Sequence, residues 1–365
     1  MRPRSTPQAR KASLYRASLL IVPGMSRQSG HSEFCSAGAS LCLLKDVSRS
    51  FYLTLRVLPG RIRPQIGLAY LLARTTDTIA DTGLVPVEQR LATLAALRER
   101  ILGLHDRPLD LGELARRQGS PAESRLLEQS EASLALLGAL ATADRQRVRQ
   151  VLETITSGQE LDLRRFAGAS AQRIVCLRTD AELDDYTYRV AGCVGEFWTG
   201  ICRAHLFAEA PLDDSFLLAN GVRFGKGLQL VNILRDLPSD LRQGRCYLPA
   251  EGLASCGLGP ADLLQPANEP RLRPLYDALL GRAQAHLQAG WDYTNTLPRR
   301  SVRVRLACAW PILIGLETIR LLRCGNVLDP SRRLKVSRRQ VKRLLWRSVL
   351  YYPFSAAWRG MVSCS

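Results

Sequence analysis

Apolar residues recur at spacings of three and four along most of this 365-residue chain, and few stretches alternate with the period of two that β-strands show. Proline or glycine interrupts the pattern, as at 58–64, 83–88 and 208–214. The periodicity predicts helices near residues 40–56, 61–82, 87–103, 121–138, 143–166, 180–206, 212–236, 272–295, 300–322 and 337–350. With no repeat of fixed period, we predict one all-α domain.

The net charge of +18 is concentrated at the two ends of the chain. Residues 1–30 carry six arginines and lysines, residues 330–365 carry nine, and neither segment has an acid. We therefore predict a basic, disordered extension over 1–34, the all-α domain over 35–325 and a basic amphipathic tail over 326–365. Such basic ends suit an anionic surface, either a membrane or a nucleic acid.

Neither a transmembrane helix nor a zinc site is predicted. No run of 18 apolar residues occurs, and the ten cysteines form no Cys-x-x-Cys pair. The short apolar stretch before Met25 is compatible with a weak signal sequence or a disordered tail, and we expect the tail. We expect reduced thiols and a cytoplasmic protein, associated at most with the inner face of a membrane.

Two acidic stripes mark the candidate site. Tyr70, Arg74, Asp77 and Asp81 are spaced by 4, 3 and 4 residues, so they lie on one face of a helix. A solvated helix face is the simplest explanation of one such pair, since carboxylates four residues apart repel by only a few tenths of a kcal/mol.

A second stripe with unusual neighbours favours a metal site over a solvated face. Gln229, Asn232, Asp236 and Asp240 are spaced by 3, 4 and 4 residues. Pro238 predicts that this helix ends or kinks, which places Asp240 at its C-terminal end. Carboxylate and amide oxygens are the ligands that a hard divalent ion takes, and Mg²⁺ is commonly held by carboxylates together with substrate phosphates. Arginines next to both stripes suit a diphosphate.

Two further stretches fit this interpretation. Ser48, Arg49 and Ser50 open a helix, where free N–H groups favour an anion, although a serine N-cap explains them equally well. Ala191, Gly192 and Gly195 are small residues at helical spacing, which indicates close helix packing or room for a ligand.

These motifs together resemble the squalene/phytoene synthases, the head-to-head prenyltransferases. The matching segments run in order through "SRSFYLTL", "LAYLLARTTDTIADT", "YTYRVAGCVGEF" and "LQLVNILRDLPSDLRQGRCYLP". The resemblance implies a single isoprenoid synthase-type helical domain with a central cavity. It also implies two or three Mg²⁺ ions that bridge a substrate diphosphate, and Asp77, Asp81, Asp236 and Asp240 would hold them.

The resemblance also assigns roles to the other matching positions. The catalytic candidates it implies are Tyr70, Arg74, Tyr186 and Tyr188. Those implied for substrate binding are Ser48, Arg49, Ser50, Phe51, Gln229, Asn232, Arg235, Arg245 and Tyr247. Phe51 and Tyr186 would line the cavity, and Arg245 and Tyr247 would lie near its mouth. One departure concerns proton transfer: eukaryotic squalene synthases have tyrosine before Val-Ala-Gly, where this chain has Arg189. Tyr186, Tyr188, water or the diphosphate would then take this role.

The resemblance leaves three reactions open. Squalene formation takes two farnesyl diphosphates and NADPH, phytoene formation takes two geranylgeranyl diphosphates and no reductant, and a third type stops at presqualene diphosphate or makes dehydrosqualene. Thr78 after the first aspartate is more typical of squalene synthases, so we expect a squalene synthase of bacterial type.

A non-enzymatic alternative is a basic helical adaptor that binds RNA or membrane. It predicts scattered acids and aromatic–basic interleaving, whereas the acids form two stripes and aromatics are 6% of residues. We expect no nucleic-acid partner. For the tail helix we weigh an anionic membrane surface against packing on the domain, with Leu344, Leu345, Trp346, Val349 and Leu350 as the apolar face.

Overall fold

A computed structural model describes residues 51–331 and 334–362 of the chain. The α-helices are α1 (Phe51–Val57), α2 (Arg63–Asp81), α3 (Val87–Leu102), α4 (Gly112–Arg116), α5 (Pro121–Glu128), α6 (Ser130–Ala139), α7 (Thr142–Arg165), α8 (Asp180–Thr187), α9 (Cys193–Leu206), α10 (Asp214–Leu241), α11 (Ala250–Ser255), α12 (Glu269–Thr296), α13 (Val302–Cys324), α14 (Arg338–Tyr351) and α15 (Ser355–Arg359). The prediction of an all-α fold is confirmed.

The remaining regular elements are short. A π-helix, Tyr188–Gly192, joins α8 to α9, and 3₁₀ turns cover Pro260–Leu264 and Pro266–Asn268. Two strands, β1 (Val175–Leu177) and β2 (Arg245–Pro249), pair in parallel. Strand β2 follows the end of α10 directly, so this pair attaches the end of the second acidic helix to the segment before α8.

Helix α10 forms the centre of the bundle and packs against α9, α12 and α13. Asp213 caps its first turn by accepting a hydrogen bond from the N–H of Phe216 at 3.0 Å. The helix runs through Pro238 and ends at Leu241, so Asp240 does lie in the last turn, as predicted.

A hydroxyl group explains why α10 continues past its proline. Pro238 has no N–H to donate to the carbonyl of Leu234 four residues earlier. The hydroxyl of Tyr276 on α12 donates to that carbonyl at 2.9 Å. A hydrogen bond from a neighbouring helix thus replaces the lost helical one, and α10 continues about one turn beyond its expected end.

Glycines allow α9 and α10 to approach very closely. A Cβ added at Gly195 of α9 would overlap the carbonyl oxygen of Gly221 of α10, and one added at Gly225 would overlap the carbonyl of Ala191. Close packing, one of the two explanations offered by the sequence, is therefore observed. The same four residues also border a cavity, as the other explanation requires.

The described part of the C-terminal segment packs against the helical body. Val336, Val341 and Trp358 are buried, and the ring of Trp358 stacks on Trp291 at a centroid distance of 4.9 Å. The indole N–H of Trp310 on α13 donates to the hydroxyl of Ser348 on α14 at 3.0 Å. No helix in residues 51–331 and 334–362 combines the length and the hydropathy needed to cross a bilayer.

The outer face of α14 nevertheless exposes large apolar side chains. Trp346 is 76% exposed, Leu350 62% and Phe354, just beyond the helix, 62%. Leu344 and Leu345, in contrast, are half-buried against the core. The apolar face proposed from the sequence is thus divided between packing on the domain and exposure to solvent.

Candidate active site

A cavity lies between α2, α7, α9, α10 and α13, bordered also by the π-helix. Most of its lining is apolar and includes Ile66, Ala69, Ile155, Val194, Phe197, Trp198, Phe224 and Leu228. Four residues predicted for the site also line it: Tyr70, Asp77, Gln229 and Asn232. The structure therefore brings part of each acidic stripe to the same cavity.

The cavity is elongated along α2. Its lining runs on this helix from Ile66 to Asp77, a span of roughly 16 Å at 1.5 Å per residue. Asp77 belongs to the last turns of α2, just as Asn232 belongs to the later part of α10. The space thus suits a long apolar chain whose polar end lies beside the acidic motifs.

Asp77 is almost inaccessible to solvent, with 2% of its surface exposed. Its Oδ1 accepts a hydrogen bond from Nε2 of Gln159 on α7 at 2.6 Å, and its Oδ2 lies 3.9 Å from Nη1 of Arg74. Burial raises the pKa of Asp77 well above its usual value, the charge of Arg74 counteracts this, and that of Asp81 adds to it. A bound cation would relieve this cost.

The two arginines predicted to bind phosphate are both held by carboxylates. Nη2 of Arg74 lies 2.7 Å from Oε1 of Glu123 on α5. Arg235 binds its neighbour Asp236 through two contacts, of 3.0 and 2.5 Å. These contacts fix the directions of the guanidinium groups beside the acidic motifs.

A buried acid, Asp162 of α7, organises the surroundings of the second motif. It is 1% exposed, accepts a hydrogen bond from the hydroxyl of Tyr247 at 3.1 Å and lies 3.5 Å from Nη1 of Arg245. Burial raises the pKa of Asp240 well above its usual value, Asp236 adds to this, and Arg245 opposes it. The positions predicted near the mouth, Arg245 and Tyr247, are therefore tied to Asp162.

The candidate tyrosines differ in their surroundings. The ring of Tyr186 stacks on that of Tyr247 at 4.8 Å, and burial raises the pKa of Tyr186 well above its usual value. Tyr186 is not among the described residues that line the cavity. The hydroxyl of Tyr188 points to the carboxylate of Glu196, at 3.2 and 3.3 Å. A proton-transfer role for either tyrosine stays a prediction.

Arg189 stands where eukaryotic squalene synthases have tyrosine, and it is not among the described residues that line the cavity. Its Nε lies 2.9 Å from both carboxylate oxygens of Asp185, and its Nη1 donates to the hydroxyl of Ser157 at 2.9 Å. It belongs to the π-helix, whose next two residues, Val190 and Ala191, line the cavity. π-Turns are frequent at functional sites because they redirect side chains.

The donor atoms fit Mg²⁺ better than a softer metal. Across residues 51–331 and 334–362, no three histidine, cysteine, aspartate or glutamate side chains gather into a ready-made metal cluster. The two motifs offer only carboxylate oxygens, next to the amides of Gln229 and Asn232. Hard oxygen donors in pairs, completed by water and substrate phosphate, are the usual environment of Mg²⁺.

Part of the predicted site lies outside the described residues. These positions are Ser48, Arg49 and Ser50; Phe51 begins α1, and its side chain is likewise not described.

Three site residues were not anticipated from the sequence: Glu123, Gln159 and Asp162. For two of them a signal exists in the helical pattern. Gln159 and Asp162 follow Ile155 and Thr156 at the spacing of the buried face of α7, so they are polar residues at core positions. Glu123 offers no such signal, because its contact with Arg74 joins distant parts of the chain.

Comparisons with known proteins find similar sequences. The squalene/phytoene synthase family model matches residues 44–340. A presqualene diphosphate synthase of Rhodopseudomonas palustris is 32% identical over 254 residues, covering 70% of this chain and 77% of that protein. A bifunctional lycopene cyclase/phytoene synthase of Pyrenophora tritici-repentis is 28% identical over 317 residues, or 84% of this chain. The chain spans about half of that fungal protein, 49% of its length.

Solved structures share the fold. A squalene synthase solved with a ligand, TcSQS, superposes with a TM-score of 0.71 at 22% identity and covers 91% of this chain and 90% of its own. A squalene synthase from Alicyclobacillus acidocaldarius superposes with a TM-score of 0.57 at 20% identity, covering 80% and 94%. At such identities the likeness shows a common helical architecture.

Proposed function

The chain belongs to the squalene/phytoene synthase family, and from this premise we propose that it is a squalene synthase. Two farnesyl diphosphates would condense head to head to presqualene diphosphate, with loss of one diphosphate and one proton. A hydride from NADPH would then replace the remaining diphosphate to give squalene. The supporting observation is an elongated apolar cavity with Asp77, Gln229 and Asn232 in its lining. A hydrocarbon chain fits the apolar part, and a diphosphate suits the oxygen ligands.

The apolar lining has a chemical role in this proposal. Cationic intermediates react with water, so a cavity lined by side chains such as Ile155, Val194 and Leu228 protects them by excluding it. The rings of Trp198 and Phe224 also border the space, and aromatic faces attract cations.

The acidic motifs would bind the diphosphate end of the substrate. We propose that Asp77 and Asp81, together with Asp236 and Asp240, hold two or three Mg²⁺ ions. Such ions neutralise the charge of a departing diphosphate. Arg74 and Arg235 would contact phosphate oxygens directly, in directions set by their carboxylate partners.

In the second candidate function, the reaction stops at presqualene diphosphate. The relative from Rhodopseudomonas palustris is named a presqualene diphosphate synthase, and it shares 32% identity with this chain. Phytoene synthesis from geranylgeranyl diphosphate is the other alternative within the family. The two squalene-type reactions differ in the reductive step, so the need for NADPH separates them.

Product analysis tests the proposed reaction. Purified protein is incubated with farnesyl or geranylgeranyl diphosphate and Mg²⁺, each with and without NADPH. We expect squalene only from farnesyl diphosphate with NADPH. Presqualene diphosphate that persists despite NADPH would favour the second candidate, and phytoene would overturn the choice of substrate. If neither substrate is turned over, the adaptor becomes the favoured hypothesis.

We propose that the partner of the C-terminal segment is an anionic membrane surface. Arg339, Lys342 and Arg343 are exposed on the outer face of α14, followed along the same stripe by the exposed Trp346 and Leu350. Basic side chains followed by tryptophan and leucine match a lipid surface, with its charged headgroups and apolar interior. Helix α14 packs on α13, which lines the cavity through Ala307 and Cys308.

The double variant Trp346→Ser/Leu350→Ser should bind anionic vesicles at least about tenfold more weakly than the parent protein, because each lost apolar side chain removes more than about 1 kcal/mol of burial. Co-sedimentation with phosphatidylglycerol–phosphatidylcholine vesicles measures this. Leu84 and Leu104 are exposed at 60% and 71% elsewhere, so Leu84→Ser/Leu104→Ser is the matched control. Unchanged binding of the α14 variant would rule this helix out as the membrane contact.

A further inference from the structure

Gln159 on α7 is a fully buried polar residue in contact with the acidic site. Its exposed fraction is 0%, and its Nε2 donates to Oδ1 of Asp77 at 2.6 Å. Within the described residues its Oε1 is buried and has no hydrogen-bond partner.

A second pair in the same chain shows what is particular to this one. Gln65 is also buried and donates to Asp144 at 3.0 Å, and its Oε1 likewise has no hydrogen-bond partner among the described residues. The two pairs therefore differ in their carboxylates. Asp144 is saturated, however, because His205 lies 2.9 Å from both of its oxygens and Arg147 contacts Oδ1 at 3.1 Å.

The carboxylate of Asp77 accepts fewer hydrogen bonds than the carboxylate of Asp144. It accepts the hydrogen bond of Gln159 through Oδ1, and its nearest cation, Arg74, remains 3.9 Å from Oδ2. Asp77 also borders the cavity, whereas Asp144 is absent from the described lining. The carboxylate of Asp77 therefore has room for a further ligand, and the structural pair of Gln65 and Asp144 has none.

We propose that Gln159 is a positioning residue for the divalent ion of the first acidic motif. Its amide N–H holds Oδ1 of Asp77 and would leave Oδ2 available to the ion. This inference rests on the metal site of the proposed function. Replacing a residue that orients a metal ligand in this way typically lowers metal affinity or activity by 10- to 100-fold.

Mn²⁺ binding tests the inference without relying on turnover. The enhancement of water proton relaxation is titrated with Mn²⁺ at a fixed concentration of inorganic diphosphate for the parent protein, Gln159→Met and Gln65→Met. Methionine has nearly the volume of glutamine but cannot donate the amide hydrogen bond that Gln159 gives to Asp77. We expect Gln159→Met to bind Mn²⁺ about tenfold more weakly or worse, and Gln65→Met to match the parent within twofold.

The outcomes separate this inference from the metal site itself. If the parent protein shows no diphosphate-dependent Mn²⁺ binding, the proposed metal site fails and the inference with it. If the parent binds Mn²⁺ and Gln159→Met binds equally well, only the role of Gln159 is wrong. Should Gln159→Met not fold, Gln159→Asn takes its place. The shorter amide cannot reach Asp77, so the same loss is expected, and parent-like binding would contradict the proposal.

Discussion

Asp236→Asn is expected to abolish product formation, with a loss of about 10³-fold or more in kcat/KM, and Asp77→Asn is expected to do the same. Each substitution keeps the shape of the side chain and removes one negative charge from a proposed Mg²⁺ site. Stabilisation of a leaving diphosphate by such ions is worth several kcal/mol, and each 1.4 kcal/mol corresponds to a factor of ten in rate. Initial rates with farnesyl diphosphate over a range of Mg²⁺ concentrations measure the effect.

The loss of activity in these aspartate variants should not be accompanied by a loss of thermal stability. Because burial raises the pKa of Asp77, its charged form is unfavourable in the metal-free fold, and Asp77→Asn should melt at the same or a higher temperature than the parent. Asp292 is exposed on α12, so Asp292→Asn serves as the control with unchanged activity. More than a tenth of the parent rate in Asp236→Asn would exclude the second motif from the chemistry.

Gly195→Ala should be strongly destabilising although it adds a single methyl group, at a cost of about 3 kcal/mol or more in the free energy of unfolding. The added Cβ would overlap the backbone carbonyl of Gly221, which cannot rotate away as a side chain can. Overpacking a rigid core typically costs 1–3 kcal/mol and more where the backbone must move. Urea denaturation followed by circular dichroism gives the value.

Gly281→Ala is the matched control for this prediction. Gly281 lies within α12, is exposed, and a Cβ added there meets nothing within 4 Å. Replacing a helical glycine by alanine should therefore stabilise the protein by up to about 1 kcal/mol. A loss below about 1 kcal/mol for Gly195→Ala would mean that α9 and α10 can separate easily, contrary to the close approach of their backbones.

Helix positions were the most predictable part of the fold, because they depend on local periodicity. The predicted helix over 61–82 is observed as Arg63–Asp81, and that over 143–166 as Thr142–Arg165. The continuation of α10 past Pro238 was not predictable in this way. It depends on the hydroxyl of Tyr276, whose position follows only from the packed structure.

The two short strands were missed for a related reason. β1 has three residues and β2 five, too few for a period to be recognised. They pair Cys176 with Cys246 across seventy residues of chain. Such pairing is a property of the assembled bundle and leaves little trace in either segment.

The acidic stripes were predictable because aspartates four residues apart on an apolar helix are conspicuous. Their supports were not, since Gln159 and Asp162 belong to a third helix whose approach to both motifs only the fold reveals. Their presence at core positions of α7 was visible, but a polar core residue alone does not identify its partner.

The π-helix makes the segment around Arg189 more tolerant of a change in length by one residue than the α-helix that follows it. A π-turn accommodates one residue more than an α-helical turn. Removing one residue from Tyr188–Gly192 would restore regular α-helical winding and leave the later side chains close to their present directions. Removing one residue from the first turn of α9 would instead rotate every later side chain of that helix by about 100°. Phe197 and Trp198 would then leave the cavity wall, although the amino-acid composition of that wall would be almost the same. In this helix the π-turn takes up one extra residue, and the phase of the regular winding after it decides which side chains meet the cavity.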